Sequence, residues 1–158
     1  MLRQALAASG CTHCAAGKYG TVIGANSSIH CIDCDPGTYA ATTANNNVSA
    51  CLLCQPGKYS GLFGASACQD CPAGKYSNVS GNVNASACEL CVEGKFSPTP
   101  GANSSATCRD CMLGKYHMDV GANSSDDCLE CRARDLSSFK ADVNSFEHCD
   151  RIHVYIYV

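Results

Sequence analysis

The chain has 158 residues, a net charge of −3, no Trp and fifteen Cys, about one residue in ten. Charge of neither sign clusters, so there is no basic face for nucleic acid, and no stretch approaches the roughly 18 apolar residues of a membrane span. Cysteine at this density marks a cross-linked scaffold rather than a domain built on large aliphatic side chains.

The N-terminal segment 1–10 has no apolar run of the kind that makes an export signal, and it reads as the edge of a fragment. From Cys11 onward the dyad Cys-x-x-Cys recurs at Cys11/Cys14, Cys31/Cys34, Cys51/Cys54, Cys68/Cys71, Cys88/Cys91, Cys108/Cys111 and Cys128/Cys131, and Cys149 closes the series. Successive dyads start 20 residues apart, with one step of 17. A fixed period of this length identifies a tandem array. A unit of about 20 residues cannot enclose a hydrophobic core, so cross-links must hold it.

After the dyad, six units read x-x-Gly-[Lys/Thr]-[Tyr/Phe]: Gly17-Lys18-Tyr19, Gly37-Thr38-Tyr39, Gly57-Lys58-Tyr59, Gly74-Lys75-Tyr76, Gly94-Lys95-Phe96 and Gly114-Lys115-Tyr116. The glycine predicts a turn that needs positive φ, and Pro36, Pro56 and Pro72 stiffen it. The aromatic is expected to cover a neighbouring sulfur pair. The Lys is expected to lie along the surface with its ammonium in water. Gly24, Gly81, Gly101 and Gly121, and Ala44 in the second unit, stand seven residues before the next Cys. With the Asn and Ser that follow, they predict a turn at the far end of each loop.

Six Asn-x-Ser sequons occur, at Asn26, Asn47, Asn78, Asn84, Asn103 and Asn123. Five of them fall four or five residues before a dyad, where a glycan would project from a loop tip. The spacing Cys-x2-Cys-x16-Cys-x2-Cys also suits a zinc ribbon, so metal competes with disulfides for the sulfurs. An odd cysteine count, the sequons and the absence of a basic face favour disulfides, and disulfides require an oxidising compartment. A redox enzyme needs one reactive dyad in a βαβ setting, which seven tandem dyads do not provide. His13, His30, His117, His148 and His153 do not recur in register and read as surface residues. No catalytic constellation or cofactor-binding motif is visible, and the chain reads as non-enzymatic, without cofactor or metal.

Beyond Cys131 the repeat signature is replaced by Ala133-Arg134-Asp135. Leu136, Phe139, Val143 and Phe146 recur at helical spacing and predict a short amphipathic helix over 136–147 that caps the array. Ile152–Val158 alternates β-formers and predicts a strand or a ragged end. The expected division is an N-terminal segment 1–10, repeats over 11–131 and a divergent tail over 132–158.

The copies Cys51-Leu-Leu-Cys-Gln-Pro-Gly-Lys-Tyr-Ser60 and Cys68-Gln-Asp-Cys-Pro-Ala-Gly-Lys-Tyr-Ser77 resemble the ephrin-receptor-like cysteine-rich repeat, and the half-unit is similar to the first-loop module of tumour-necrosis-factor receptors. The resemblance covers about Cys11 to Cys131. It implies a small disulfide-rich fold: an elongated array of short β-hairpins with little regular secondary structure, found in secreted and cell-surface proteins. It does not imply a kinase. It also implies a stepwise pairing: Cys14–Cys31, Cys34–Cys51, Cys54–Cys68, Cys71–Cys88, Cys91–Cys108, Cys111–Cys128 and Cys131–Cys149, with Cys11 unpaired. An interlaced order, such as Cys11–Cys31 with Cys14–Cys34, is the alternative and leaves Cys131 unpaired. The functional expectation is an extracellular rod, a spacer or adhesion stalk whose parent protein carries the anchor and whose partner is an unknown extracellular protein or none. The alternatives are a ligand-binding receptor ectodomain and a zinc array.

Overall fold

The computed structural model describes residues 13–22 and 28–131. The helix expected over 136–147, the tail strand, Asn26, Cys11 and Cys149 lie outside them. Six loops are each closed by one disulfide, and these define the units. Unit 1 is Cys14–Cys31, unit 2 Cys34–Cys51, unit 3 Cys54–Cys68, unit 4 Cys71–Cys88, unit 5 Cys91–Cys108 and unit 6 Cys111–Cys128.

Each unit begins with a tight turn. In unit 2, Thr38 N–H donates to Asp35 O at 3.1 Å, and Gly37 holds φ 82° at the third turn position. Pro36 at the second position and a positive-φ glycine at the third are what a type II turn demands. Pro72 departs from this pattern: it is the first residue of its turn, and its carbonyl accepts from Lys75 N–H at 3.1 Å.

The turn leads into the first strand of a hairpin, and the second strand is the inner pair of residues of the following dyad. The hairpins are β1 (Lys18–Gly20) with β2 (Cys31–Asp33), β3 (Thr38–Tyr39) with β4 (Leu52–Leu53), β5 (Lys58–Tyr59) with β6 (Gln69–Asp70), β7 (Lys75–Tyr76) with β8 (Glu89–Leu90), β9 (Lys95–Phe96) with β10 (Arg109–Asp110), and β11 (Lys115–Tyr116) with β12 (Leu129–Glu130). All six are antiparallel, and in every one the aromatic faces the first inner residue of the dyad, as Tyr59 faces Gln69. A two-residue hairpin is marginal alone. Here the disulfide ties one strand to the other immediately beside it.

The same three backbone hydrogen bonds join each unit to the next. Between units 3 and 4 they are Gly57 N–H to Ser77 O at 2.8 Å, Ser60 N–H to Asn82 O at 3.0 Å and Gly81 N–H to Cys54 O at 2.7 Å. Equivalent triplets occur at the other four junctions between described units. The core has no large side chain. Cys34, Cys54, Cys71 and Cys91 are fully buried, with Ser77, Ser97, Ala40 and Ala102 packed near them in the register. The aromatics of the hairpins are half-buried. Sulfur is large and polarizable enough to fill the centre of so small a unit.

Contacts reach beyond the adjacent unit. A Cβ built on Gly17, Gly37, Gly57 or Gly74 would lie less than 3.0 Å from the carbonyl oxygen of Gly64, Gly81, Gly101 or Gly121 respectively, each two units further on. Beneath those carbonyl-bearing glycines lie Asp33, Leu53, Asp70 and Leu90, again from two units earlier. Odd-numbered units therefore touch odd ones and even units touch even ones. Among the described residues, Gly94 of unit 5 meets nothing within 4 Å.

Candidate functional site

Twelve sulfurs, two in each of six bridges, are consumed in disulfides that join the second Cys of one dyad to the first Cys of the next. This is the stepwise order, not the interlaced one. Cys131 is disulfide-bonded as well. The geometry that sets the order is local. The second Cys of each dyad donates its backbone N–H to the carbonyl of the preceding turn glycine, as Cys71 does to Gly57 O at 2.8 Å. The hairpin places the first Cys of the dyad next to the Cys that opened the loop. Among the described residues, no group of three or more His, Cys, Asp or Glu stands close enough to hold a metal ion, and no helix is long and apolar enough to cross a membrane.

The residue that faces the first-strand Lys or Thr across the hairpin differs from unit to unit. In units 1, 3 and 5 the Lys of the first strand faces an Asp: Lys18 pairs with Asp33 at 2.6 Å, and Lys58–Asp70 and Lys95–Asp110 repeat the pair. These side chains are a third or more exposed, so each pair contributes at most about 1 kcal/mol. The lysines expected to point into solvent thus have cross-strand partners in alternate units. In units 2 and 4 the facing residues are the exposed Leu53 and Leu90, in unit 6 the facing residue is Glu130, and Ile32, Leu52 and Leu129 are exposed at the other inner position of units 1, 2 and 6. Tyr76 donates its phenol O–H to Glu89 at 2.7 Å, and that hydrogen bond, followed by slight burial and the Glu89 charge, holds its pKa above the usual 10.0.

The loop tips hold the sequons. Asn47 and Asn84 each precede a single 3-10 turn, Val48–Ala50 and Ala85–Ala87, and cap it by accepting from Ser49 N–H and Ser86 N–H. Asn103 and Asn123 stand one residue earlier, because Ser104 and Ser124 take the cap position of the turns Ser105–Thr107 and Ser125–Asp127. All four Asn are exposed, as is Asn78, which follows the first strand of unit 4. Oxygen acceptors at such caps satisfy a backbone donor that has no partner within the turn.

Unit 3 is unlike the rest. Three residues shorter between its cysteines, with a sequence separation of 14 against 17, it has no 3-10 turn and no sequon. Its tip is Leu62-Phe63-Gly64, with Leu62 66% and Phe63 68% exposed. Gly64 takes the structural place of Gly81, donating its N–H to Cys34 O at 2.8 Å, although it stands four rather than seven residues before the next Cys.

No curated protein matches this chain. The family model described as tyrosine-protein kinase ephrin type A/B receptor-like matches twice, over residues 41–88 and 57–108, in overlapping windows shifted by about one unit. Those windows contain the bridges, turns and junctions of units 3 to 5, and over residues 41–108 the repeats match the ephrin-receptor-like family.

Proposed function

We propose that the chain is a non-enzymatic extracellular rod, a spacer or adhesion stalk of a secreted or cell-surface protein. The observation that carries this reading is the recurrence of one disulfide and one three-bond junction from unit to unit. A single junction repeated from unit to unit extends an array in one direction. The family that the repeats match supports an oxidising, extracellular setting, as does the commitment of twelve sulfurs to disulfides. Disulfide sulfurs are not thiolates, which argues against the zinc-array reading. Secreted protein is expected to carry the six bridges above without bound zinc, and to scatter with a radius of gyration well above the about 15 Å of a globule of this length. Stoichiometric zinc on reduced thiols, or a scattering curve of a sphere, overturns the proposal.

A second reading, a ligand-binding receptor ectodomain, is favoured by unit 3, whose exposed Leu62 and Phe63 interrupt the uniform series. It requires that the array retain a cell-surface protein which the Leu62→Asp/Phe63→Asp variant, with bridges intact, does not. Equal retention by the two sinks it.

A further inference from the structure

We propose that Asn47, Asn84, Asn103 and Asn123 are N-glycosylated, which dresses units 2, 4, 5 and 6 at equivalent loop tips and leaves unit 3 bare. The inference rests on the extracellular reading. The motif Asn-x-Ser supplies the acceptor sequence at each position. The structure adds three observations.

The four Asn are exposed and lie at the entry to the same single turn, so a glycan on any of them leaves the buried sulfurs and the unit junctions untouched. The atom that would carry the sugar is also free of structural duty. At Asn47 and Asn84 the turn uses Oδ1, which accepts from Ser49 N–H at 2.9 Å and from Ser86 N–H at 3.1 Å. Nδ2 is not part of that cap. At Asn103 and Asn123 the cap is a Ser hydroxyl, so the amide is not used at all. In contrast, the Nδ2 groups of Asn45 and Asn82, which lie outside any sequon, are committed to Lys18 O at 3.2 Å and Lys58 O at 3.3 Å in the preceding unit. Asn side chains that bind units together and Asn side chains offered to solvent are thus kept apart. The third observation is placement. Asn47, Asn84 and Asn123 fall on the even units, the series that also exposes Leu52, Leu53, Leu90 and Leu129. Hydrophilic chains on these units would shield their exposed leucines, which invite self-association.

The transfer forms a bond between Asn Nδ2 and C1 of an oligosaccharide, breaks the C1–O bond to its lipid-pyrophosphate carrier and releases one proton from Nδ2. The amide keeps Oδ1, so the cap survives the modification.

The test uses the full chain behind a cleavable export signal in a secretory eukaryotic cell. Peptide mapping of the secreted product follows, with and without an amidase that removes N-glycans and leaves Asp in place of Asn. Conversion at three or four of the four sites supports the proposal. Ser49→Ala, Ser86→Ala, Ser105→Ala and Ser125→Ala, which leave every Asn in place, should each remove one glycan. Conversion at two sites or fewer overturns it. Disulfide mapping of the same sample separates the two levels of failure: bridges present without sugars leave the extracellular reading standing, whereas free thiols without sugars overturn both.

Discussion

Glycine at the turn position has two duties, and a pair of substitutions separates them. Gly57 and Gly94 both hold positive φ, +82° and +73°, where an L side chain is strained by about 1–2 kcal/mol. Of the two, among the described residues, only Gly57 also has a backbone against it, the Gly101 carbonyl two units on. A carbonyl fixed in its own turn cannot step aside as a flexible side chain would. Gly94→Ala is therefore expected to cost about 1–2 kcal/mol and Gly57→Ala about 3 kcal/mol or more. Denaturant unfolding with all bridges oxidised reads the difference. Equal costs would show that the approach between second-neighbour units is looser than the geometry requires. Ala44 shows that the strain alone is tolerated: it keeps φ 61° in the second unit, and its N–H still reaches Cys14 O at 2.8 Å.

At the scale of the element, the sequence exposes what is periodic and hides what is relational. The dyads, the turn glycine and the aromatic are read directly because each recurs at a fixed offset. That the inner residues of the dyad form the second strand could be inferred from the same offsets, since Lys18 and Asp33 or Lys58 and Asp70 are complementary across the hairpin. Gly64 was missed because the short unit moves it three residues closer to the next Cys, and only hydrogen bonding reveals its equivalence to Gly81. The hairpin aromatics stay half-buried because the cystine already fills the centre of a unit this small. The alternation of Asp and Leu at the second inner position of the first four dyads that close a unit, Asp33, Leu53, Asp70 and Leu90, is visible in the sequence but has no meaning until second-neighbour contacts give it one. Those contacts also change how damage spreads. A nearest-neighbour array would confine the loss of the unit 4 bridge to residues 71–88 and the junctions on either side. Here Gly81 backs Gly37 of unit 2, and Gly74 meets Gly121 of unit 6. Cys71→Ser/Cys88→Ser removes a loop closure that contributes about 3 kcal/mol. It is expected to speed amide exchange in units 2 through 6 while the bond from Lys18 N–H to Ala15 O, within unit 1, stays slow. Acceleration confined to units 3 to 5 would sink the second-neighbour account.

For the whole molecule, contact two units away sets a minimum length for stability. Two adjacent units share one junction of three backbone hydrogen bonds, and such bonds contribute only about 1 kcal/mol each once water competes for them. No glycine in a two-unit piece meets its second-neighbour carbonyl. Adding a third unit adds a second junction and the first of these close approaches, so stability should rise more steeply from two units to three than junctions alone predict. Residues 54–91 with Cys91→Ser contain units 3 and 4, and residues 54–111 with Cys111→Ser contain units 3 to 5 with Gly101 over Gly57. The N–H groups of Gly57 and Ser60 donate across the same junction in both pieces, to Ser77 O and Asn82 O. Their exchange, with bridges oxidised, should slow by at least about tenfold in the longer piece, equivalent to about 1.4 kcal/mol. Both pieces start at the same residue, and the added unit reaches this junction through Gly101 and Ala102 against Gly57 and through the bond from Ser77 N–H to Ala102 O at 3.0 Å. If exchange is as slow in the two-unit piece as in the three-unit one, each unit is held by its own bridge and one neighbour, and the second-neighbour approach has no part in stability.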